Sequence, residues 1–590
     1  GDYAVIKDKY KDKEVNYYVE KPYASVARKI FGNTPEMIAF YSRITGVDYP
    51  WAKYSQIVGR DYVSGAMENT TATLHQESAQ QDARQLTDGN AWESVIAHEL
   101  FHQWFGDLVT TESWSNITLN ESFANYSEYL WDEYKYGKDA AYAQNYSDMQ
   151  GYLNSNSENK DLVRFYYNDK EDVFDAVSYN KGGRILNMLR NYVGDSAFFT
   201  ALNVYLTRNK FKSAEAQNLR LAFEEVTGQD LNWYWNQWYY GSGHPKLTIN
   251  YSYDDATKQA RVITDQTQSS NKVFRLPVKI DVWEGNNRKE YSVWVNNKTD
   301  TFYFPAGQKP MLINFDADKL LLTQKNENKT LEEYLFQYNH AGNYMDRREA
   351  IEAALKNQSD AIAWQIITEG IKDKYYGLRS YTISRLDLSK EKIKSGAENT
   401  LYTTALHDPN RVVKAAAIAK LGDYKETKYN ELFTASIKDS SYSVAGNALD
   451  ALSKIDTIAA FNEAKRLSAF PSKGKLAAAI SKTLIKYGDE SASDVVLHNF
   501  EALPVSQEKF DQLQALTQFL VKVKSFETFK RGVDDIIGFE NQIPESFRGQ
   551  LSSFIHNLLR NIESAKKAQG QIDLANYIDS KLPKEDKKGF

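Results

Sequence analysis

The sequence predicts a multidomain, mainly α-helical chain, with a small β-sandwich set between two helical parts, the second of them an α-solenoid of the HEAT or armadillo sort. Three observations carry this. At 590 residues and 67.6 kDa the chain is too long for one hydrophobic core. Apolar residues recur at helical spacing from about 24 to 241 and from about 330 onward, with short alternating strands between. In the last part a similar helix start returns at 31- to 35-residue intervals.

Four segments are expected: 1–22, 23–245, 246–327 and 328–590. In the first, Tyr3-Ala4-Val5-Ile6 and Val15-Asn16-Tyr17-Tyr18-Val19 alternate as one or two strands with no sheet of their own. They are expected to be the remnant of a β-domain lying upstream. The second segment is mostly helical, with one extended piece, Ile57 to Val63, leading into Ser64-Gly65-Ala66-Met67-Glu68-Asn69. A glycine followed by a short extended stretch suits an edge strand along which a peptide backbone could lie, although a plain turn ending a strand has the same pattern.

Within this segment, Val95-Ile96-Ala97-His98-Glu99-Leu100-Phe101-His102 carries His-Glu-x-x-His inside an apolar helical run. Residues four apart share a helix face, so both imidazoles can reach one metal ion, with Glu99 beside the metal as a general base. Nineteen residues after His102, Glu121 opens a second apolar-periodic stretch. A helix, a turn and a returning helix would bring it back as the third ligand. With 8 histidines, the bare motif arises by chance in roughly one such chain per hundred, so the added glutamate matters. Beyond Glu121, Asn125 and Glu128 lie on the same face, and either could orient a ligand imidazole. Further on, Tyr179 precedes Lys181-Gly182-Gly183 at the entry to a helix. Its hydroxyl would suit an oxyanion, but among 40 tyrosines nothing singles it out.

The third segment alternates at Leu247, Ile249 and Tyr251, at Leu276, Val278, Ile280 and Val282, and at Leu312 to Phe315, with turn residues between, hence the β-sandwich. In the fourth, helix starts follow Asp373, Asp408 and Asp439. The charged ending from Lys581 to Lys588 reads as a solvated tail.

Composition excludes several classes. A net charge of -6 and pI near 5.9 give no reason to invoke nucleic acid or an anionic membrane. The absence of cysteine excludes disulfides and thiolate ligands. No apolar run is long enough to span a membrane. The chain begins at Gly1 without a signal peptide, so a processed form or fragment is expected. Sequons at Asn69, Asn116, Asn120 and Asn125 crowd the site, which argues against a eukaryotic secretory origin. The expectation is a soluble bacterial protein, cytoplasmic or periplasmic, and monomeric.

Gly65-Ala66-Met67-Glu68-Asn69, His98-Glu99-x-x-His102 with Glu121, and Tyr179-x-Lys181-Gly182, in this order and spacing, resemble the M1 family of zinc aminopeptidases, over about residues 20–245. The resemblance implies a thermolysin-like catalytic domain, one Zn²⁺ held by His98, His102 and Glu121, and removal of single residues from peptides with a free N-terminus. It further implies Glu99 as the base, Tyr179 as the oxyanion donor and Glu68 as the partner of the substrate's α-ammonium, with Gly65, Ala66, Met67 and Asn69 along its backbone. The sequence departs from the family at Ser122, where glycine is usual, and in lacking most of the family's N-terminal β-domain. Two rivals stand beside the aminopeptidase: a zinc endopeptidase or bifunctional epoxide hydrolase of the same family, and a non-catalytic scaffold. Glu68 argues against the endopeptidase, and the intact ligands and base argue against the scaffold.

Overall fold

The computed structural model describes residues 1–583 apart from 489, 504, 506 and 544. It is multidomain and mixed α/β, with helix predominating. The expected tail from residue 584 onward lies outside the described residues. Chain contacts divide the molecule into two compact units, Gly1–Leu378 and Arg379–Phe590. No helix among the described residues is long and apolar enough to cross a membrane.

The first unit starts with β1 (Tyr3–Tyr10) and β2 (Lys13–Glu20), an antiparallel hairpin. Two short helices follow, α1 (Ala27–Phe31) and α2 (Thr34–Thr45), and then β3 (Lys53–Gly59), β4 (Ala66–Met67) and β5 (Ala72–Gln76). These strands form one sheet in the order β1-β2-β3-β5-β4. The expectation that residues 1–22 have no sheet of their own is therefore corrected. β2 pairs in parallel with β3, Val15 opposite Tyr54, and buries Val15, Tyr17 and Val19 completely. The pairing partner comes more than thirty residues later, beyond two helices, which local alternation does not register. At the other end of the sheet, among the described residues, β4 pairs only with β5, Ala66 opposite His75, and no strand covers its outer edge.

The sheet fixes the helix that follows it. His75 is buried, and burial pushes its imidazole down to about 3, so it is neutral. It accepts from Trp92 Nε1 at 3.2 Å and bonds Gln56 Oε1 at 3.0 Å. Trp92 is the residue before α3 (Glu93–Phe101), so this core histidine ties the sheet to the start of that helix. Next come β6 (Val109–Thr111), α4 (Thr118–Lys135) and α5 (Lys138–Leu153). The rings of Phe101, Phe105 and Phe123 stack at 4.9 and 4.1 Å beneath the junction of α3 and α4. A π-turn, Val177–Lys181, feeds α6 (Gly182–Val193), and β7 (Lys212–Ala214) pairs with β6.

After these come two small sheets. β8 (Lys246–Asp254), β9 (Gln259–Gln266), β12 (Thr299–Pro305) and β14 (Gln324–Glu327) form one, in the order β12-β9-β8-β14. β10 (Leu276–Glu284), β11 (Asn287–Val295) and β13 (Leu312–Phe315) form the other, in the order β11-β10-β13. From Leu331 to Lys581 every described element is helical.

The recurring aspartates in this last part each do two things. Asp373, Asp408 and Asp439 accept from the backbone N–H two residues on, at 2.8, 2.9 and 2.9 Å. Each also pairs with an arginine, Arg347, Arg379 and Arg411 respectively, at 2.8, 2.9 and 2.6 Å. The sequence periodicity is thus a repeated Arg–Asp contact at helix starts. Only the first pair is deeply buried, and Arg347 also reaches Asp139 at the start of α5 at 2.9 Å. Removing one partner of a buried pair strands the other charge. Arg347→Ala is therefore expected to destabilise the protein by about 3 kcal/mol in urea unfolding, whereas Arg411→Ala, half exposed, is expected to cost less than about 1 kcal/mol.

Candidate metal centre

α3 and α4 present His98, His102 and Glu121 to one point. His102 stands one residue past the end of α3 but keeps right-handed helical dihedrals, so it stays in phase with His98. Glu121 Oε2 lies 3.4 Å from His98 Nε2 and 3.5 Å from His102 Nε2. Side chains from three positions thus bring one ligand atom each within 4.8 Å of one another. The tetrahedron formed by metal–ligand bonds of 2.0–2.1 Å has an edge of about 3.3 Å, so the spacing fits an ion of zinc's size and ligand preference.

The chemistry of the donors agrees. His98, His102 and Glu121 are 9%, 1% and 5% exposed. Burial alone pushes the His102 imidazole down, but the Glu68 and Glu121 carboxylates outweigh it and lift it to about 9. Glu121 is held well below the usual carboxylate range because the two imidazoles overcome its burial. The pocket therefore favours positive charge. The other ring nitrogens orient the ligands: His98 Nδ1 bonds Glu128 Oε1 at 2.9 Å, and His102 Nδ1 bonds the Phe105 carbonyl at 3.0 Å. Assigned from this network, each Nδ1 carries a proton, which leaves each Nε2, the atom nearest Glu121, to bind either a proton or a metal cation. The loop that brings the Phe105 carbonyl into place turns at Gly106, whose φ is +144°. A Cβ there would lie 3.2 Å from the His102 carbonyl oxygen, so glycine is required.

Of the two residues expected to orient an imidazole, only Glu128 does so. It is itself held by Gln144 Nε2 of α5 at 3.1 Å, while Asn125 turns to Asp148 at 3.4 Å. Glu99 lies beside the ligands, 7% exposed, and its Oε2 has no hydrogen-bond partner among the described residues. Burial lifts its carboxyl to about 7 against the pull of both imidazoles, within reach of base chemistry near neutral pH. Tyr179, on the π-turn, stacks its ring on that of His98 at 5.9 Å and 16°. Burial and the nearby Glu121 carboxylate hold its hydroxyl protonated, as a donor.

The edge strand also faces this point. Glu68 Oε1 is 3.9 Å from His102 Nδ1, on a side chain that is 17% exposed. Gly65, Met67 and Asn69 are exposed along the open edge, and Ala66 is half-buried. Glu68, Glu99 and Tyr179 thus come beside His98, His102 and Glu121. Gln103 was missed. Fully buried, it accepts from Thr71 N at 2.9 Å and donates to the Glu68 carbonyl at 3.0 Å and to Asp107 at 2.7 Å, fastening the edge to the metal helix. Its only signal in the sequence is a polar residue inside an apolar run. Lys181 was missed as well. Burial pushes its amine down to about 7, and its nearest acceptor is the Gly241 carbonyl at 3.4 Å.

Residues 30–238 match the family model described as Peptidase family M1 domain. The chain is 27% identical over 303 residues to the probable aminopeptidase 1 of Sulfurisphaera tokodaii, an alignment covering 49% of this chain and 36% of that protein. It is 32% identical over 258 residues to the tricorn protease-interacting factor F2 of Thermoplasma volcanium, covering 42% and 33%. The chain spans about a third of the length of these curated relatives. An aminopeptidase A of Legionella pneumophila, solved in complex with aspartic acid, shares the fold with a TM-score of 0.70 at 16% identity, over 99% of this chain and 77% of that one.

Two outcomes are expected at this site. Glu128→Ala should weaken metal binding about 10- to 100-fold in chelator competition, while Asn125→Ala should leave it unchanged. For Lys181 the folded state favours the neutral amine, so the residue lowers stability most below about pH 7 and not at all above its ordinary value near 10.5. Lys181→Met should therefore raise Tm, by a margin that shrinks as pH rises from 7 to 10.5, measured by calorimetry.

Proposed function

We propose that this chain is a zinc-dependent aminopeptidase that hydrolyses the N-terminal peptide bond of peptides. The observation that carries the reading is a carboxylate, Glu68, fastened at the end of an open strand edge and 3.9 Å from a ligand imidazole. An extended peptide lying on that edge would meet Glu68 with its α-ammonium, so that carboxylate would hold the chain's first residue beside the metal ligands. Exopeptidase action would follow from that ion pair rather than from a closed end.

His98, His102 and Glu121 would hold one Zn²⁺, which supplies Lewis-acid polarisation of the scissile carbonyl and an acidified water. Glu99 Oε2, buried and without a hydrogen-bond partner among the described residues, takes a proton from the attacking water and returns it to the leaving amine. Tyr179 donates its hydroxyl to the developing oxyanion, at a buried position where a fixed donor is worth more than in water. Gly65, Ala66, Met67 and Asn69 align the first residue's backbone. Gln103 keeps this edge in register with the ligands, by holding the Glu68 carbonyl and the Thr71 amide at once.

We divide the chain accordingly into an edge hairpin at 1–22, a thermolysin-like domain at 23–245, a β-sandwich at 246–327 and a HEAT- or armadillo-like helical repeat at 328–590. The Tyr291 and Phe304 rings, 4.5 Å apart on strands of the two small sheets, support the sandwich. The repeated Arg–Asp contacts support the helical repeat.

Metal analysis with turnover of aminoacyl-arylamides, free and N-acetylated, tests the assignment. One zinc per chain and cleavage of the free amines alone are expected, and equal cleavage of the blocked substrates would make the protein an endopeptidase. Glu99→Gln should keep its zinc and lose at least about 100-fold in kcat, as removal of a general base does.

A further inference from the structure

We propose that Ser122 is a positioning residue that sets the place of the Tyr179 hydroxyl relative to the metal ligands. The proposal rests on the role given to Tyr179 above. Ser122 follows the ligand Glu121 directly, at the position where the resembling family usually has glycine. It is 1% exposed, and its hydroxyl donates to the Ser178 carbonyl at 2.7 Å, the peptide unit that leads into Tyr179. Its oxygen is 2.6 Å from Thr118 Oγ1, one turn earlier on α4. Ser122 has a single proton and a carbonyl can only accept, so the direction is fixed: Thr118 donates to Ser122, and Ser122 donates to Ser178. Thr118 and Ser178 are buried too, so no water competes for these groups.

The contact is close as well as polar. A Cβ built on Gly182 would lie 1.8 Å from Ser122 Oγ, and one on Gly183 would lie 2.2 Å from Asn125 Oδ1. The two glycines after the π-turn therefore lie flush against α4, which explains the Lys-Gly-Gly of the sequence. The turn has two further anchors. The Asp175 carboxylate accepts from the amides of Val177 and Ser178 at 3.0 and 3.2 Å and is gripped by Arg164 and Lys160, at 2.7 and 2.8 Å. Asp148 of α5 holds Asn180 at 2.9 Å. The Asp148 anchor reaches the helix that bears Glu121 only at one remove, through Asn125 at 3.4 Å. The Ser122 bond runs from that helix to the turn directly, at 2.7 Å, and from the residue next to the ligand. Sliding of the π-turn along α4 would move the Tyr179 hydroxyl away from the oxyanion, and this bond opposes that movement.

The test is a double-mutant cycle of Ser122→Ala and Tyr179→Phe in the zinc-loaded enzyme, paired with amide hydrogen exchange of the metal-free protein. Ser122→Ala should lower kcat about 5- to 10-fold with KM unchanged, since a small misplacement of a catalytic group acts on the transition state. In the Tyr179→Phe background the same change should alter kcat by less than about 1.5-fold, because the group it positions is gone. Exchange at residues 177–181 should quicken while that of α4 stays as it was. An equal fold loss in both backgrounds, or unchanged exchange at 177–181, overturns the proposal. If Tyr179→Phe alone leaves kcat intact, the role of Tyr179 is what fails, and the exchange result still decides whether Ser122 tethers the turn. Should Ser122→Ala not fold, Ser122→Gly serves as the second variant, with the same outcomes.

Discussion

Two imidazole nitrogens, each within 3.5 Å of one carboxylate oxygen at a largely buried point, are the constraint around which the first unit is built. Such a donor set is stable only if every other polar atom of its members is occupied. Glu128 and the Phe105 carbonyl meet that need for the histidines. The helices must also not shift by a fraction of an ångström. Ser127 Oγ reaches the Ala97 carbonyl at 3.2 Å, and Tyr41 reaches the Ser127 carbonyl at 3.1 Å, binding α3, α4 and α2 together. The Phe101, Phe105 and Phe123 stack fills the space below, where a smaller side chain would let the helices relax.

Three carboxylates near one point would repel each other in an apolar setting, yet their environments drive them apart. Glu121 lies between two imidazoles and stays ionised, whereas Glu99 is buried without a hydrogen bond to its Oε2 and is drawn toward neutrality. Glu68 keeps partial contact with solvent at the strand edge. One acid suited to a cation, one suited to moving a proton and one suited to an incoming ammonium arise from the same functional group through burial and neighbours alone.

The small sheets are coupled to the helices after them by charge as well as by apolar contact. Lys319, Lys325 and Lys329 are buried among Glu327, Asp346 and Glu349, with Lys319 3.1 Å from both Asp346 and Glu349, and Lys329 2.7 Å from Glu327. Every lysine there has an acid in reach, so the cluster holds without solvent, although apolar residues of the same volume would pack as stably. What it adds is geometry, since charges pair in only one register. Arg184 of α6 reaches the Leu320 carbonyl at 2.8 Å, so the helix that follows the Tyr179 turn is tied to the same region.

Local chemistry was legible from residue order. His98, His102 and Glu121, with Glu99 beside them, follow from helical periodicity and ligand type, because four-residue spacing on a helix is geometry in itself. The alternating strands and the helix starts at Asp373, Asp408 and Asp439 were legible for the same reason. Other features needed the folded chain. Glu128 and Asn125 share a face of α4, and only the packing of α5, with Gln144 and Asp148, gives Glu128 to His98 and turns Asn125 away. The hairpin at 1–22 looked orphaned because its partner β3 arrives after two helices. Gln103 is an ordinary residue in the sequence, Lys181 and Ser122 stand out there only within the resemblance, and the contacts of all three come from elements far apart in the chain. Periodicity determines which face of an element is buried. Which atom it meets there is decided by how closely two backbones approach, and that only the tertiary structure sets.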